Sequence, residues 1–208
     1  MGTYYRAKLI AALGLGTVKG RVLDIGGFDG FFVSTVDADE RISVDIDSQP
    51  RFAGVRYCRA DGLALPFADD SFDTIYALDV LEHVDDEARF ATELMRVLRR
   101  GGRLILSTPQ DDIQVFPKPV TPWVNKRWQH YRVPGYSSEA VRALFDQLHA
   151  CDCQVRKLSS WWFLNFYFPL SAVWRVAPKA GAWVLGTIAT LDAKRTGPRG
   201  YLLAEIQK

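Results

Sequence analysis

Short apolar segments alternate with segments of helical period along this chain, and this alternation constrains its fold more than any other feature. Seven segments have the composition of β-strands: residues 21–25, 41–46, 55–58, 72–78, 103–107, 154–158 and 200–206. Apolar residues at helical spacing predict helices over four further segments: residues 3–14, 30–36, 86–100 and 137–148. Strands that alternate with helices form βαβ units, so we predict an α/β fold with a mostly parallel sheet and helices on both faces.

Two of these predicted helices carry end signals. Ser137 is a residue type that caps helix N-termini. Arg99 and Arg100 suit the last turn of a helix, and the glycine pair at 101–102 suits its end. We therefore expect one helix to begin after Ser137 and another to continue as far as Arg100.

The charge distribution is uneven, although the net charge of the 208 residues is only +2. Residues 1–93 carry a net charge of −8 and residues 94–208 carry +10, so the two halves are expected to face different ligands or surfaces. The overall charge gives no argument for a nucleic-acid partner.

The three cysteines lack zinc-ligand spacing, and the apolar stretch within residues 1–16 is too short for a signal peptide. We predict a cytoplasmic protein without a disulfide framework or a metal site.

Glycines and carboxylates follow the first three predicted strands, at the edge of a parallel sheet where ligands bind. Residues 24–30 (DIGGFDG) allow the backbone to approach a ligand closely, and they also suit a plain strand-to-helix turn. Asp45 ends the second strand and can accept both hydrogens of a ribose diol, or act as a turn residue. Asp61 follows the third strand, where a carboxylate can accept a hydrogen bond from the amine of adenine.

Two nucleotide-binding fingerprints are absent from the sequence. A nicotinamide-dependent dehydrogenase needs G-x-G-x-x-G, but Phe28 and Phe31 occupy two of the glycine positions. The phosphate-binding pattern G-x-x-x-x-G-K-[ST] does not occur. The sequence therefore disfavours both of these enzyme classes.

Taken as an ordered set, the motifs of residues 20–110 resemble class I S-adenosylmethionine-dependent methyltransferases. The motifs that carry the resemblance are DIGGFDG, VDID, ADG with LALPFADDSFD, LDVLEHV and LRRGGRLILSTP. They are most similar to the type 11 branch, which includes ubiquinone- and menaquinone-biosynthesis enzymes. The resemblance implies a Rossmann-like seven-stranded sheet whose last strand is antiparallel. It also implies S-adenosyl-L-methionine as cofactor, with S-adenosyl-L-homocysteine as product.

The same resemblance implies roles for individual residues. Asp45 would bind the ribose hydroxyls, Ile46 would pack on the adenine, and Asp61 would meet the adenine amine. The full set of cofactor-binding residues implied is Asp24, Gly26, Gly27, Gly30, Asp45, Ile46, Asp61, Gly62, Asp79 and Val80. Glu82 and His83 would close the site. Phe28 stands where the family usually has glycine, so it is expected to crowd the cofactor or to shift the loop.

A hydroxyl acceptor would need a base, and three histidines are available: His83, His130 and His149. We favour His130 as the catalytic base because it follows the fifth strand on the substrate side, although a surface histidine is an equal alternative. Tyr131 and Tyr136 are weaker candidates. Residues 111–136 form a basic, aromatic loop, which suits either an acidic or phosphorylated acceptor or plain solvation.

Residues 161–195 form an apolar insertion, expected to be helical, before the last strand. Within it, residues 161–191 hold four tryptophans but only two basic residues, and Pro169 and Pro178 interrupt the pattern. Three arrangements fit: a roof over a pocket for a lipophilic or lipid-linked acceptor, a surface for peripheral membrane contact, or helices packed on the sheet or at a homodimer interface.

We interpret residues 1–208 as a single methyltransferase domain with a cofactor-binding core at residues 20–110. The predicted reaction is methyl transfer to a small, lipophilic or lipid-linked molecule, at oxygen. Two alternatives stay open: a non-catalytic module that binds S-adenosylmethionine, and a methyltransferase acting on a nucleic acid or protein. The acidic first half disfavours a nucleic-acid substrate.

Overall fold

A seven-stranded sheet organises the computed structural model, which describes residues 1–127, 135–148 and 152–208. Its strands are β1 (Arg21–Ile25), β2 (Glu40–Asp45), β3 (Arg56–Arg59), β4 (Phe72–Leu78), β5 (Leu98–Pro109), β6 (Asp152–Leu158) and β7 (Tyr201–Gln207). They lie in the order β3-β2-β1-β4-β5-β7-β6. The pairs among β1 to β5 are parallel, and β7 is antiparallel to both of its neighbours. The predicted α/β, Rossmann-like fold with an antiparallel last strand is confirmed.

Helices cover both faces of this sheet. Those in the described residues are α1 (Gly2–Ala12), α2 (Phe31–Ser34), α3 (Glu87–Val97), α4 (Thr121–Arg127), α5 (Ser138–Asp146), α6 (Trp161–Asn165), α7 (Tyr167–Val176) and α8 (Pro178–Ala193). There are also two short 3₁₀ turns: Leu81–His83 lies between β4 and α3, and Lys118–Val120 lies between β5 and α4. None of these helices is both long enough and apolar enough to cross a lipid bilayer.

Alternate side chains of the central strands build two separate apolar layers. Val22, Tyr76 and Ile105 point into the layer formed with α1, α2 and the helices α6 to α8. Leu23 and Ile75 point to the opposite face and pack with α3 and α5. Because both faces are covered, β1 and β4 are mainly apolar, which is why the sequence pattern located them so closely.

Helix α3 ends at Val97, three residues before the predicted end. Leu98 has extended backbone angles (φ −72°, ψ 130°) and begins β5, where it pairs with Phe72 of β4. The Lys208 ammonium group contacts the carbonyl oxygen of Leu98 at 2.7 Å, and Gly101 N–H donates to the Lys208 carbonyl at 2.8 Å. The prediction of a helix through Arg100 is wrong because these distant partners favour an extended backbone.

The helix after Ser137 is confirmed, with the Ser137 hydroxyl accepting from Ala140 N–H at 3.1 Å.

A buried carboxylate ties α8 to α1 and α6. Asp192 is 1% exposed and accepts a hydrogen bond from the Tyr5 hydroxyl at 2.9 Å. It also accepts from the backbone N–H groups of Trp162 and Phe163, both at 3.2 Å. The Tyr5 and Phe163 rings stack with centroids 4.0 Å apart. The helices that follow β6 are therefore fixed against the first helix of the chain.

Candidate functional site

A cleft of about 510 Å³ opens at the carboxyl ends of β1, β2 and β4, where the strand order reverses on either side of β1. Ligands bind at this position in open α/β sheets. Seven of the predicted cofactor-binding residues line the cleft: Gly26, Asp45, Ile46, Asp61, Gly62, Asp79 and Val80. The structure thus brings together residues from four separate segments of the chain.

Gly26 lines the cleft with backbone atoms only. Its φ is +72°, and a Cβ atom at this position would lie 2.5 Å from Cγ2 of Val80. Its N–H donates to the Val44 carbonyl at 2.8 Å, which turns the loop back over β2. A side chain here would be both strained and in collision, so glycine keeps the backbone accessible from the cleft.

Three other predicted residues of this loop, Asp24, Gly27 and Gly30, do not line the cleft. Gly27 is buried, and a Cβ there would collide with the Ser43 hydroxyl and with the Asp24 carboxylate. A Cβ on Gly30 would lie 2.5 Å from the Tyr57 hydroxyl, which itself donates to the Asp29 carbonyl at 3.0 Å. These residues set the path of the loop and do not line the cleft.

Asp24 is the buried anchor beneath this loop. It is 3% exposed, and its Oδ2 has no hydrogen-bond partner among the residues that the structure describes. Burial raises the pKa of Asp24 to about 8, and the neighbouring Asp45 acts in the same direction while Arg6 opposes it. Asp24 is therefore mostly a neutral acid near pH 7.

The Phe28 ring does not line the cleft, where the sequence left open that it would crowd the cofactor or shift the loop. Its backbone is left-handed, with φ +43°, and its side chain is 43% exposed. The Phe28 N–H donates to Oδ2 of Asp45 at 2.9 Å. The loop accommodates the phenylalanine by turning its ring outward.

Asp45 stands at the tip of β2 with its carboxylate held in place by backbone donors. Besides the Phe28 contact, Oδ1 accepts from the N–H of Asp47 at 2.8 Å. Each carboxylate oxygen has two lone pairs, so acceptor capacity remains toward the cleft. Ile46 is 59% exposed and adds an apolar surface beside it.

The far end of the cleft is closed by the segment after β3. Asp61 accepts from Leu63 N–H at 2.8 Å, a bond that closes a tight turn. A Cβ on Gly62 would lie 2.8 Å from Cε2 of Phe90, so glycine permits the turn to pack closely on this ring. Phe90 also lines the cleft and supplies an apolar floor.

Asp79 lies where the cleft meets a second cavity. It follows β4 in a left-handed conformation with φ +55°. Its Oδ2 lies 2.5 Å from Nη1 of Arg6, and its Oδ1 accepts from the Ser107 hydroxyl at 2.5 Å. Asp79 and His83 line both cavities.

The second cavity has a volume of about 370 Å³ and is walled by α1, α6, α7, the 3₁₀ turn at 81–83 and β7. Its aromatic lining consists of Phe163, Tyr167 and Tyr201, and its polar lining includes Arg6 and Glu82. A cavity of this size suits a small molecule.

Glu82 is the most buried carboxylate of the second cavity, with 1% exposure. Its Oε2 accepts from the Thr108 hydroxyl at 3.1 Å, whereas Oε1 has no hydrogen-bond partner within the described part of the chain. Burial, reinforced by the nearby Asp79, raises the pKa of Glu82 well above its usual range. Burial thus favours the protonated form of Glu82, in which the carboxyl group can donate a hydrogen bond as well as accept one.

The structure describes two of the five candidate bases, His83 and Tyr136. His130 and Tyr131 lie outside the described residues, as does His149. Tyr136 is 2% exposed and lines neither cavity; its hydroxyl donates to the Glu87 carboxylate at 2.8 Å and lies 3.1 Å from the Leu81 carbonyl oxygen. Tyr136 therefore stabilises the 3₁₀ turn at residues 81–83.

Over the described residues, no cluster of three or more histidine, cysteine or acidic side chains has an arrangement that could hold a metal ion.

Sequence reasoning missed Arg6 and Tyr201. Arg6 lies three and four residues before Leu9 and Ile10, so it shares their helix stripe, and a single cation in an apolar stripe is a usable signal. Tyr201 opens the last strand, and its position over the cavity depends on the pairing of β7 with β5. That pairing joins segments nearly a hundred residues apart, which no local pattern reveals.

Part of the chain is similar to known proteins. Residues 15–106 match the family model described as "Methyltransferase domain". The chain is 42% identical over 94 residues to an uncharacterized methyltransferase of Mycobacterium sp. (strain JLS), a match covering 41% of this chain and 37% of that protein. It is 26% identical over 167 residues to 2-methyl-6-phytyl-1,4-hydroquinone methyltransferase of Synechocystis sp., covering 74% of this chain and 50% of that protein. The chain thus spans half or less of the length of these curated relatives.

Solved structures share the fold at low sequence identity. A possible histamine N-methyltransferase from Thermotoga maritima superposes with a TM-score of 0.65 at 19% identity, covering 98% of this chain and 88% of that one. Phosphoethanolamine N-methyltransferase 2 from Haemonchus contortus, in complex with S-adenosyl-L-methionine, gives 0.68 at 16% identity, covering 98% and 52%.

Proposed function

We propose that this chain, whose core belongs to the class I S-adenosylmethionine-dependent methyltransferases of type 11, transfers a methyl group to a small, lipophilic acceptor at an oxygen atom. One observation carries the proposal: Gly26, Asp45 and Asp61 line one cleft beside a second cavity. The cleft suits an adenosine-containing cofactor and the second cavity suits the molecule to be methylated.

The residues of the cleft fit the parts of S-adenosyl-L-methionine. Asp45 would accept hydrogen bonds from the ribose hydroxyls, while Ile46 and Phe90 would enclose the adenine and Asp61 would meet its amine. Gly26 is exposed in the cleft and has no side chain, so the methionine part could approach its backbone closely. When bound, this cofactor supplies a methyl group already activated by its positively charged sulfur.

The acceptor is proposed to occupy the second cavity. Phe163, Tyr167 and Tyr201 give it an aromatic lining, and the raised pKa of Glu82 favours the uncharged carboxyl group, which suits an apolar ligand better than a carboxylate does. Because Asp79 and His83 line both spaces, a ligand in the cavity lies next to a ligand in the cleft. Alignment of two bound reactants and exclusion of water can supply a large share of a rate acceleration.

Transfer to a hydroxyl oxygen needs removal of its proton. His130 remains our proposed base on sequence grounds, and His83 is the histidine that the structure places at the junction of the two cavities. Arg6, at the same junction, would favour the oxyanion that deprotonation creates. Methylation at oxygen, the lipophilic character of the acceptor and the identity of the base are all parts of this proposal.

Isothermal titration calorimetry with S-adenosyl-L-homocysteine tests the cofactor assignment. Asp45→Asn should weaken binding about 10- to 100-fold, as expected for losing charged hydrogen bonds worth about 1.5–3 kcal/mol. Asp47→Asn is the matched control, because the Asp47 side chain is 74% exposed and does not line the cleft. Equal affinities for both variants would refute the assignment.

Turnover distinguishes the enzyme from a binding module. Incubation with radiolabelled S-adenosyl-L-methionine and a panel of hydroxylated lipophilic acceptors should transfer label to an extractable product. Tight binding of S-adenosyl-L-homocysteine without transfer to any acceptor, RNA, DNA or protein would instead favour the non-catalytic module.

A further inference from the structure

Helix α7 presents different surfaces on its two sides. On its inner side Leu170 is buried, and Gly181 of α8 packs so closely that a Cβ there would lie 3.0 Å from Cα of Trp174. Tyr167, at the start of the helix, lines the second cavity. The inner side is thus fully used by the fold and by the proposed acceptor site.

The outer side of α7 is apolar although it faces solvent. Pro169, Ala172, Val173 and Val176 are all exposed and recur at the i, i+3, i+4, i+7 spacing of one helix face. Val176 is 87% exposed, and Phe166, just before the helix, is 43% exposed. An amphipathic helix normally buries such a stripe, so this surface is unpartnered in the single chain.

Helix α8 also exposes an amphipathic aromatic residue. Trp183 is 75% exposed. Two cations, Arg175 at the end of α7 and Lys179 at the start of α8, are also exposed at the connection between the helices. The sequence has no aspartate or glutamate between Asp152 and Asp192, and Asp192 itself is buried against Tyr5. The segment from Cys153 to Leu191 therefore carries positive charge alone beside its exposed apolar groups.

We infer that this surface, formed by the outer stripe of α7 with Arg175, Lys179 and Trp183, docks on the interface of an anionic lipid bilayer. Tryptophan and basic residues beside an apolar helix face are the composition of helices that lie in a membrane interface. A second copy of this chain is the less favourable occupant, because a symmetric contact would bring the same cations together without carboxylates to pair them. An anionic bilayer complements both the charge and the apolar stripe.

Docking in this way would place the second cavity close to the lipid. Tyr167 lines that cavity from the opposite side of the same helix, and a helix with its side chains is about 10 Å across. An acceptor held in the bilayer would then reach the cavity without crossing bulk water. This last step depends on the proposed function, whereas the docking itself depends only on the helices.

Vesicle co-sedimentation tests the inference. The full chain is mixed with phosphatidylcholine vesicles, with or without about a third of phosphatidylglycerol, at physiological salt. We expect binding to the anionic vesicles and weak binding to the zwitterionic ones. Arg175→Gln with Lys179→Gln should lower the partition coefficient about 10- to 30-fold, since each cation near an anionic surface contributes about 1 kcal/mol.

Two matched double variants identify the surface. Val176→Ser with Trp183→Ser should lower the partition coefficient at least about 10-fold. Trp123→Ser with Phe116→Ser removes comparable exposed apolar groups, 61% and 57% exposed, outside the α7–α8 surface and should leave the partition unchanged. Equal losses in both pairs, or no binding of the unmodified chain, would overturn the inference.

Two further measurements separate the remaining outcomes. Analytical ultracentrifugation that shows a dimer dissociating in the Val176→Ser, Trp183→Ser variant would make a second copy the occupant and overturn the bilayer assignment. Calorimetry with S-adenosyl-L-homocysteine should give the same affinity in every variant of this series. Lipid binding without any nucleoside binding would refute the proposed function and leave the docking surface supported.

Discussion

Arg6 and Asp79 form an ion pair, with Nη1 and Oδ2 2.5 Å apart, across 73 residues of chain. The Asp79 side chain is 9% exposed and that of Arg6 is 30% exposed. The pair joins the first helix to the end of β4 at the point where the cleft and the second cavity meet. Helix α1 therefore forms part of the site as well as part of the fold.

Removal of the Arg6 charge should destabilise the fold through the carboxylate it leaves behind. We expect Arg6→Met to lower the free energy of unfolding by about 1–3 kcal/mol, below the range for fully buried pairs because Arg6 is partly exposed. Adding Asp79→Asn should recover part of this loss, with a coupling of at least about 1 kcal/mol. Urea denaturation measures each variant, and exposed Lys8→Met on the same helix is the control. Additive effects of the two substitutions would contradict the prediction.

Gly26→Ala should lower the affinity for the cofactor because the new methyl group collides with a neighbouring side chain. Gly101→Ala, at a second left-handed glycine, introduces no such collision and is the control. Gly26 and Gly101 have nearly the same left-handed backbone, with φ +72° and +74°, so alanine strains both by about 1–2 kcal/mol. Only at Gly26 does the new methyl group meet Val80; around Gly101 nothing lies within 4 Å. We expect Gly26→Ala alone to weaken S-adenosyl-L-homocysteine binding, by about 10-fold or more. A similar loss in Gly101→Ala would mean that strain, not the cleft wall, is responsible.

The raised pKa of Asp24 predicts a specific pH dependence of stability. Burial raises the pKa of Asp24 to about 8 in the native state, whereas an aspartate in the unfolded chain has a pKa of about 3.9. Between these two pH values the native state therefore holds a proton that the unfolded chain has released. The contribution of Asp24 to stability is therefore complete below about pH 4 and is lost as the pH rises through about 8. Asp24→Asn cannot ionise. We expect its stability relative to the unmodified chain to increase by up to about 1.4 kcal/mol per pH unit between about pH 5 and 7.

Urea denaturation at several pH values measures this difference directly. Asp37→Asn, at an exposed position, provides the baseline for loss of an ordinary aspartate. Parallel stability curves for Asp24→Asn and the unmodified chain would show that Asp24 is ionised in the folded protein.

The two candidate bases can be ranked by kinetics. With a hydroxyl acceptor found in the panel, we expect His130→Gln to lower kcat by about 10²- to 10⁴-fold and to remove the acidic limb of the pH profile. His83→Gln should have the smaller effect on kcat. The affinity for S-adenosyl-L-homocysteine, measured by calorimetry, should change less than about twofold in His130→Gln. The reverse order of kcat values would assign the base to His83.

The sequence pattern located the central strands because their packing demands are local. β1 and β4 match their predicted bounds, and β2 and β3 differ by one residue at each end. The apolar runs of β1 and β4 are covered on both faces, so the end of each run is sharp. The carboxylates at those ends were found for the same reason, since polar residues stand out beside buried strands.

The features that local pattern did not reveal depend on distant partners. Leu98 to Arg100 have helix-compatible side chains, but pairing with Phe72 and contacts from Lys208 select the extended conformation. The second cavity is likewise assembled from α1, the 3₁₀ turn, α6, α7 and β7. The relation of Arg6 to Tyr201 is a property of the folded chain and not of either sequence segment.

The different origins of the two cavities have a consequence for biosynthesis. Every residue that lines the cleft lies between Ile25 and Phe90, whereas the second cavity needs Tyr201 from the last strand. On a translating ribosome, every residue that lines the cleft therefore emerges before the last strand is made. The second cavity cannot be complete until Tyr201 has been made, so the two spaces form one after the other along the chain.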